Sequence, residues 1–100
     1  MHKYGLHGNL KATPGNGKQL ADLLLEAADL VSNAKGFAMY MVSLDAEDKD
    51  IVVVTEVWDS KEDHDNSLKS EAVKALIGKA MPLLAGMPKG GQVMQVLNFV

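Results

Sequence analysis

The chain has 100 residues, 47% of them apolar and 23% charged, with a formal net charge of −3, which describes one ordinary globular domain over residues 1–100. The mild acidity, without a basic block, gives no electrostatic footprint for nucleic acid, and no apolar run approaches the roughly 20 residues a membrane helix needs. The absence of cysteine excludes disulfides, thiol catalysis and thiolate metal sites, and the start Met1-His2-Lys3-Tyr4-Gly5 lacks the apolar core of a signal peptide, so a cytoplasmic protein is expected.

Residues Tyr4 to Thr13 alternate. Tyr4, Leu6, Gly8, Leu10 and Ala12 fall on one face, and Lys3, Gly5, His7, Asn9 and Lys11 on the other, which predicts a strand whose glycines mark a bend or a close backbone approach. Pro14-Gly15-Asn16-Gly17 breaks it. From Lys18 to Asn33 the spacing of Leu20, Leu23, Leu24, Ala27, Ala28 and Val31 is helical, with Asn16 as the expected N-cap. Leu25 and Leu30 widen the apolar stripe towards a second packing partner, and Asn33 to Gly36 ends the helix. Phe37 to Leu44 is an apolar strand. Asp45 to Asp50 is a polar connector that makes a hairpin with the next strand, Ile51 to Trp58, where four β-branched aliphatic residues and then Thr55 stand in a row. Ser60-Lys61-Glu62-Asp63 opens a short capped helix. A second helical pattern runs through Val73, Leu76, Ile77, Ala80 and Met81 until Pro82 ends it. Leu83 to Gly91 reads as an irregular tail, and Gln92 to Val100 as a fourth strand.

The order β-α-β-β-α-β predicts an α+β, ferredoxin-like fold with an antiparallel four-stranded sheet. Helices cover one face of such a sheet. The second, third and fourth strands are apolar on both faces, so a symmetric homodimer is expected to hide the other.

Most chemical motifs are absent. His2 and His7 have opposite strand parity and cannot share a metal, and Asp63 and Asp65 beside His64 do not converge with it on a helix, so no metal is expected. The acidic runs at Asp45 and Asp59 lack calcium-loop spacing. Gly15 to Lys18 lacks the spacing of a phosphate loop, and there is no Gly-x-Ser-x-Gly elbow. The methionines Met39, Met41, Met81, Met87 and Met94 read as core filler.

Glu56 and Trp58 stand apart. Two residues apart on a strand, they share one face of a mostly apolar segment, and a carboxylate is rarely buried without a partner. The functional reading makes this face a pocket lining. Trp58 is then a flat apolar wall, Glu56 or His64 accepts a proton, Tyr40 donates a hydrogen bond, and His7 and Asn9 of the first strand contact the substrate. The plain alternative pairs Glu56 with a lysine at an edge, buries Trp58 in the core and leaves His64 solvated at a helix start.

The run Thr55-Glu56-Val57-Trp58-Asp59-Ser60-Lys61-Glu62, with a first strand ending at Pro14-Gly15 before a helix, resembles the antibiotic biosynthesis monooxygenase domain family over nearly the whole chain. The resemblance implies a dimeric α+β barrel. It implies a cofactor-independent monooxygenase using molecular oxygen on a small phenolic or quinol-type molecule, an electron-rich substrate that the protein positions and deprotonates. Other members degrade haem, so a haem-binding protein is one alternative, and a non-catalytic dimeric binding module is another. Two departures bear on haem. The histidine that members carry nine residues after the tryptophan is here Ser67. The first-strand asparagine of haem-degrading members aligns on Gly8, one residue from Asn9. His64 stands where members carry an apolar residue.

Overall fold

Four strands, β1 (Lys3–Lys11), β2 (Phe37–Leu44), β3 (Ile51–Trp58) and β4 (Gln92–Val96), form one antiparallel sheet in the order β2-β3-β1-β4 in the computed structural model, which describes residues 2–86 and 91–100. Helix α1 (Gly17–Val31) joins β1 to β2. Helices α2 (Lys61–Ser67) and α3 (Glu71–Ala80), followed by a 3₁₀ turn at Met81–Leu83, lead from β3 towards β4. The fold is therefore α+β, ferredoxin-like βαββαβ, with its second helical arm split in two. Among the described residues, no helix is long and apolar enough to cross a membrane.

Register decides which side chains meet. Tyr4 lies opposite Trp58, Leu6 opposite Glu56, Gly8 opposite Val54 and Leu10 opposite Val52. On the other side of β3, Tyr40 lies opposite Glu56 and Val42 opposite Val54. Because paired residues point the same way, all of these share the helix-covered face. The face under the helices holds two separate core clusters. Ala12, Leu20, Ala21 and Val52 build one, with Leu10 and Leu24 packed against it. Val31, Trp58 and Val73 build the other, with Tyr4, Phe37 and Tyr40 around it. Val54 and Glu56 sit on the strand between them.

The local starts and stops follow from named groups. Gly36, at φ 80°, turns the chain out of α1 into β2. Ser60 caps α2 by accepting from the Asp63 N–H at 3.1 Å, and Ser70 caps α3 by accepting from Val73 N–H at 3.5 Å. In the β2–β3 hairpin the Asp45 carboxylate accepts from the Glu47 and Asp48 amides, each at 3.0 Å.

Several sequence expectations are corrected. Asn16 stands at the N-cap position of α1, but its side chain makes no capping bond, because its amide donates to Thr13 Oγ1 at 2.7 Å instead. The cap comes from Asp50 at the far end of the hairpin, whose two carboxylate oxygens accept from Gly15 and Gly17 N–H, each at 3.0 Å. Gly17 permits this junction, since a side chain there would collide with the Lys49 carbonyl. The fourth strand stops at Val96 rather than Val100; its last pair with β1, among the described residues, is Val96 with Lys3. The tail after α3 is more ordered than expected: Leu84 bridges Ala12, with Thr13 N–H donating to Leu83 O and Ala85 N–H to Lys11 O, each at 2.8 Å. The remaining part of that tail, residues 87–90, lies outside the described residues. Leu25 and Leu30 find no second packing partner among the described residues, being 51% and 44% exposed.

Candidate functional site

A cavity of about 280 Å³ opens between the sheet and α1, lined by Leu6, Gly8, Leu10, Leu24, Tyr40, Val54 and Glu56, with strand β1 and Gly91 at its edge. It occupies the level of the sheet that lies between the two core clusters. Each wall has a local cause. Leu24 comes from the inner stripe of α1, Leu6 and Leu10 from the even-numbered face of β1, and Gly8 leaves that face without a side chain between them. Ligand sites for drug-sized molecules span about 300–1,000 Å³, so this one suits a molecule of one or two rings.

Two polar groups enter the otherwise apolar cavity from neighbouring strands. Glu56 and Tyr40 are direct cross-strand partners, and both line it. Burial, and then the negative charge of Glu56, push the Tyr40 hydroxyl well above the usual phenol range. Tyr40 is therefore held protonated, as a donor, beside a carboxylate that accepts.

Behind Glu56 stands an aromatic shell. Trp58 is fully buried, and its Nε1–H donates to Glu56 Oε1 at 2.9 Å. Its ring meets Phe37 edge-on at 5.6 Å and His64 at 6.0 Å. This corrects the expectation that Trp58 forms a flat pocket wall. The strand alternation that puts it on Glu56's face also puts it one level along, in the second cluster, where it anchors the carboxylate rather than touching the cavity. A charge-assisted hydrogen bond of this kind fixes the carboxylate's rotamer.

His64 is not the solvated helix-start histidine of the plain alternative. The short turn Asp59-Ser60 and the Ser60 cap set α2 so that His64 lies over the end of β3. Its side chain is only 12% exposed, with Nε2 at 3.8 Å from Glu56 Oε1 and Nδ1 at 2.9 Å from Asp65 Oδ1. Tyr4 closes the other side, its ring 5.7 Å from the imidazole. Glu56, Trp58, His64 and Tyr40 are thus brought together.

His7 and Asn9 are not brought together with them. The β1 chain at both residues borders the cavity, but alternation sends their side chains to the open face of the sheet. There the His7 ring bonds Thr55 Oγ1 at 2.8 Å. Ser67 turns its hydroxyl back to the His64 carbonyl, at 2.6 Å. Sequence reasoning missed Leu6, Leu24 and Val54 as walls, since an apolar residue in a strand or helix stripe carries no chemical mark. Gly8 was legible only as a residue of the same face.

A four-stranded antiparallel sheet with helices on one side, and a small cavity under them holding a carboxylate and a phenol, defines a ferredoxin-like α+β protein with a candidate small-molecule site. A family model described as antibiotic biosynthesis monooxygenase matches residues 4–79, and the chain belongs to that family. Solved structures agree along its whole length. A candidate antibiotic biosynthesis monooxygenase from Chloroflexus aurantiacus is 35% identical, with 98% of this chain and 96% of that one covered at a TM-score of 0.87. One from Caulobacter crescentus is 19% identical, with 97% and 92% covered at a TM-score of 0.86, and one from Nitrosomonas europaea 12% identical, with 96% and 91% covered at a TM-score of 0.89. The last two speak to the fold alone. No curated protein matches the chain in sequence. Family and neighbours together support a monooxygenase-like role.

Proposed function

We propose that the protein is a cofactor-independent monooxygenase of a small phenolic or quinol-type molecule. The observation that carries this reading is the Tyr40–Glu56 pair on adjacent strands, set in the wall of a small apolar cavity. An aromatic ring fills the space between Leu6, Leu24 and Val54 through apolar contact. Its hydroxyl meets two complementary groups: Glu56 accepts the proton, and Tyr40 donates to the oxygen that becomes negative. Trp58 holds Glu56 in place from behind, with His64 beside it.

The chemistry then rests with the substrate. A phenolate transfers an electron to dioxygen, and the two radicals recombine at a ring carbon to give a hydroperoxide. Loss of water leaves a quinone, so a phenol and dioxygen become a quinone and water, with no outside reductant. Glu56 returns its proton to the leaving oxygen, which restores the site. The apolar walls of the cavity strengthen each of these electrostatic contacts.

Oxygen uptake by the chelator-treated protein against a panel of phenols and quinols tests the reading. At least one electron-rich member is expected to be consumed together with oxygen, with Glu56→Gln slowing turnover by about 100-fold or more. Uptake unchanged from the protein-free rate across the panel overturns it.

A further inference from the structure

We propose that Asp65 is a positioning residue that fixes His64 in the tautomer with a bare Nε2 facing Glu56, making His64 a second proton acceptor behind the cavity wall. This rests on the monooxygenase reading above for its use, but not for its geometry.

The argument is one of proton inventory. The Asp65 carboxylate is gripped on one oxygen by Lys61 Nζ at 2.7 Å and faces His64 Nδ1 with the other at 2.9 Å. The Lys61 bond first, and then the His64 bond, hold its carboxyl below the usual carboxylate range. An ionised carboxylate only accepts. The hydrogen in the Asp65–His64 bond therefore belongs to Nδ1, and a neutral His64 has none on Nε2. That nitrogen lies 3.8 Å from Glu56 Oε1, which already accepts from Trp58 Nε1–H. The separation is too long for a direct hydrogen bond, yet one water oxygen can sit at about 2.8 Å from both acceptors. The pair thus suits a bridging water, whose two hydrogens serve the two acceptors.

Exposure runs in the sense a proton needs. Glu56 and His64 side chains are 16% and 12% exposed, and Asp65 is 46% exposed. The titratable groups that face the imidazole are Glu56 from β3, Tyr4 from β1 and Asp65 from α2, with Lys61 reaching it only through Asp65. A proton collected by Glu56 therefore has a neighbouring base that leads outward along α2. The residue types are unremarkable separately. Only the placement of α2 over the end of β3 makes them a chain.

Long-range proton–nitrogen correlation spectra of the imidazoles, in the substrate-free protein at a pH where His64 is neutral, test the assignment. The wild type is expected to show Nδ1 protonated and Nε2 bare. Asp65→Ala, a helix-compatible change at a partly exposed position, is expected to shift His64 towards the Nε2–H form that free histidine prefers. Asp65→Asn keeps an acceptor oxygen and is expected to restore the wild-type pattern. An Nε2–H tautomer in the wild type, or a spectrum unmoved by Asp65→Ala, overturns the proposal. Titration with phenol separates it from the reading it serves. Perturbation of the His64 Nε2 resonance in the wild type but not in Asp65→Ala supports both. Absence of any phenol effect on a correctly tautomeric wild type supports the positioning role and counts against the monooxygenase reading alone.

Discussion

At the scale of single residues, the site is a contest over one proton. Glu56 would be an awkward charge on a buried strand face if it stood alone. It is tolerated because Trp58 donates to it and because one side of it opens on the cavity. Much of this was legible: alternation along Ile51 to Trp58 places Glu56 and Trp58 on one face without any structure. Their division of labour was not, because it depends on which core cluster each level of the sheet falls in. His64 was the harder case. Its neighbours in sequence suggested a solvated helix start, and only the angle of α2 against β3 turns it inward. Tyr40 yields a prediction with a definite sign. Burial and the Glu56 charge keep its proton on in the folded chain above the pH, about 10, at which an unfolded tyrosine gives it up. This group's contribution to stability is therefore complete below about pH 10 and erodes as the pH rises beyond it. In Tyr40→Phe the urea midpoint should fall less between about pH 9 and about pH 11 than in the wild type, and an equal fall would refute the assignment.

At the scale of elements, β2 and β3 could be read residue for residue, because β-branched and apolar runs bounded by polar turns are their own signal. The errors lie where an end is decided by something far away. Leu97 and Phe99 continue the strand pattern of β4, but they are 75% and 42% exposed, and among the described residues the ladder with β1 ends at Val96. Asn16 looked like a cap because its residue type suits one. The observed cap is Asp50, a residue distant in sequence that ties the N-terminus of α1 to the β2–β3 hairpin. Asp50→Ala removes both of its bonds and should destabilise the fold by about 1–2 kcal/mol, measured by urea unfolding with an unchanged m-value. Asn16→Ala, by contrast, should cost under about 1 kcal/mol, because it loses one partly exposed bond to Thr13. The reverse order of the two effects would show that the cap has been misplaced.

At the scale of the whole molecule, the unresolved need is cover for the open sheet face. Met39, Met41, Val53, Val57, Met94 and Val96 lie on it by register, with Met41 half exposed and Val57 already buried. The space over Gly5 is filled by Val96 and Met94, so this end of the face is an apolar patch, bounded by the His7–Thr55 pair and then by Asn9 and Ser43 around Val53. A second copy of the chain packing sheet to sheet is the occupant we expect, and sedimentation equilibrium should give a dimer that Met41→Lys weakens by at least about tenfold in Kd. A monomeric wild type would remove this expectation while leaving the cavity, on the opposite face, untouched. The cavity itself carries the central claim, that Glu56 deprotonates a phenolic ring which then reduces dioxygen without outside help. Mass spectrometry of the product formed under isotopically labelled dioxygen tests it most directly: we predict one labelled oxygen per quinone, with yield falling about 100-fold or more in Glu56→Gln, whereas an unlabelled product, or equal labelling rates in the two proteins, would contradict it.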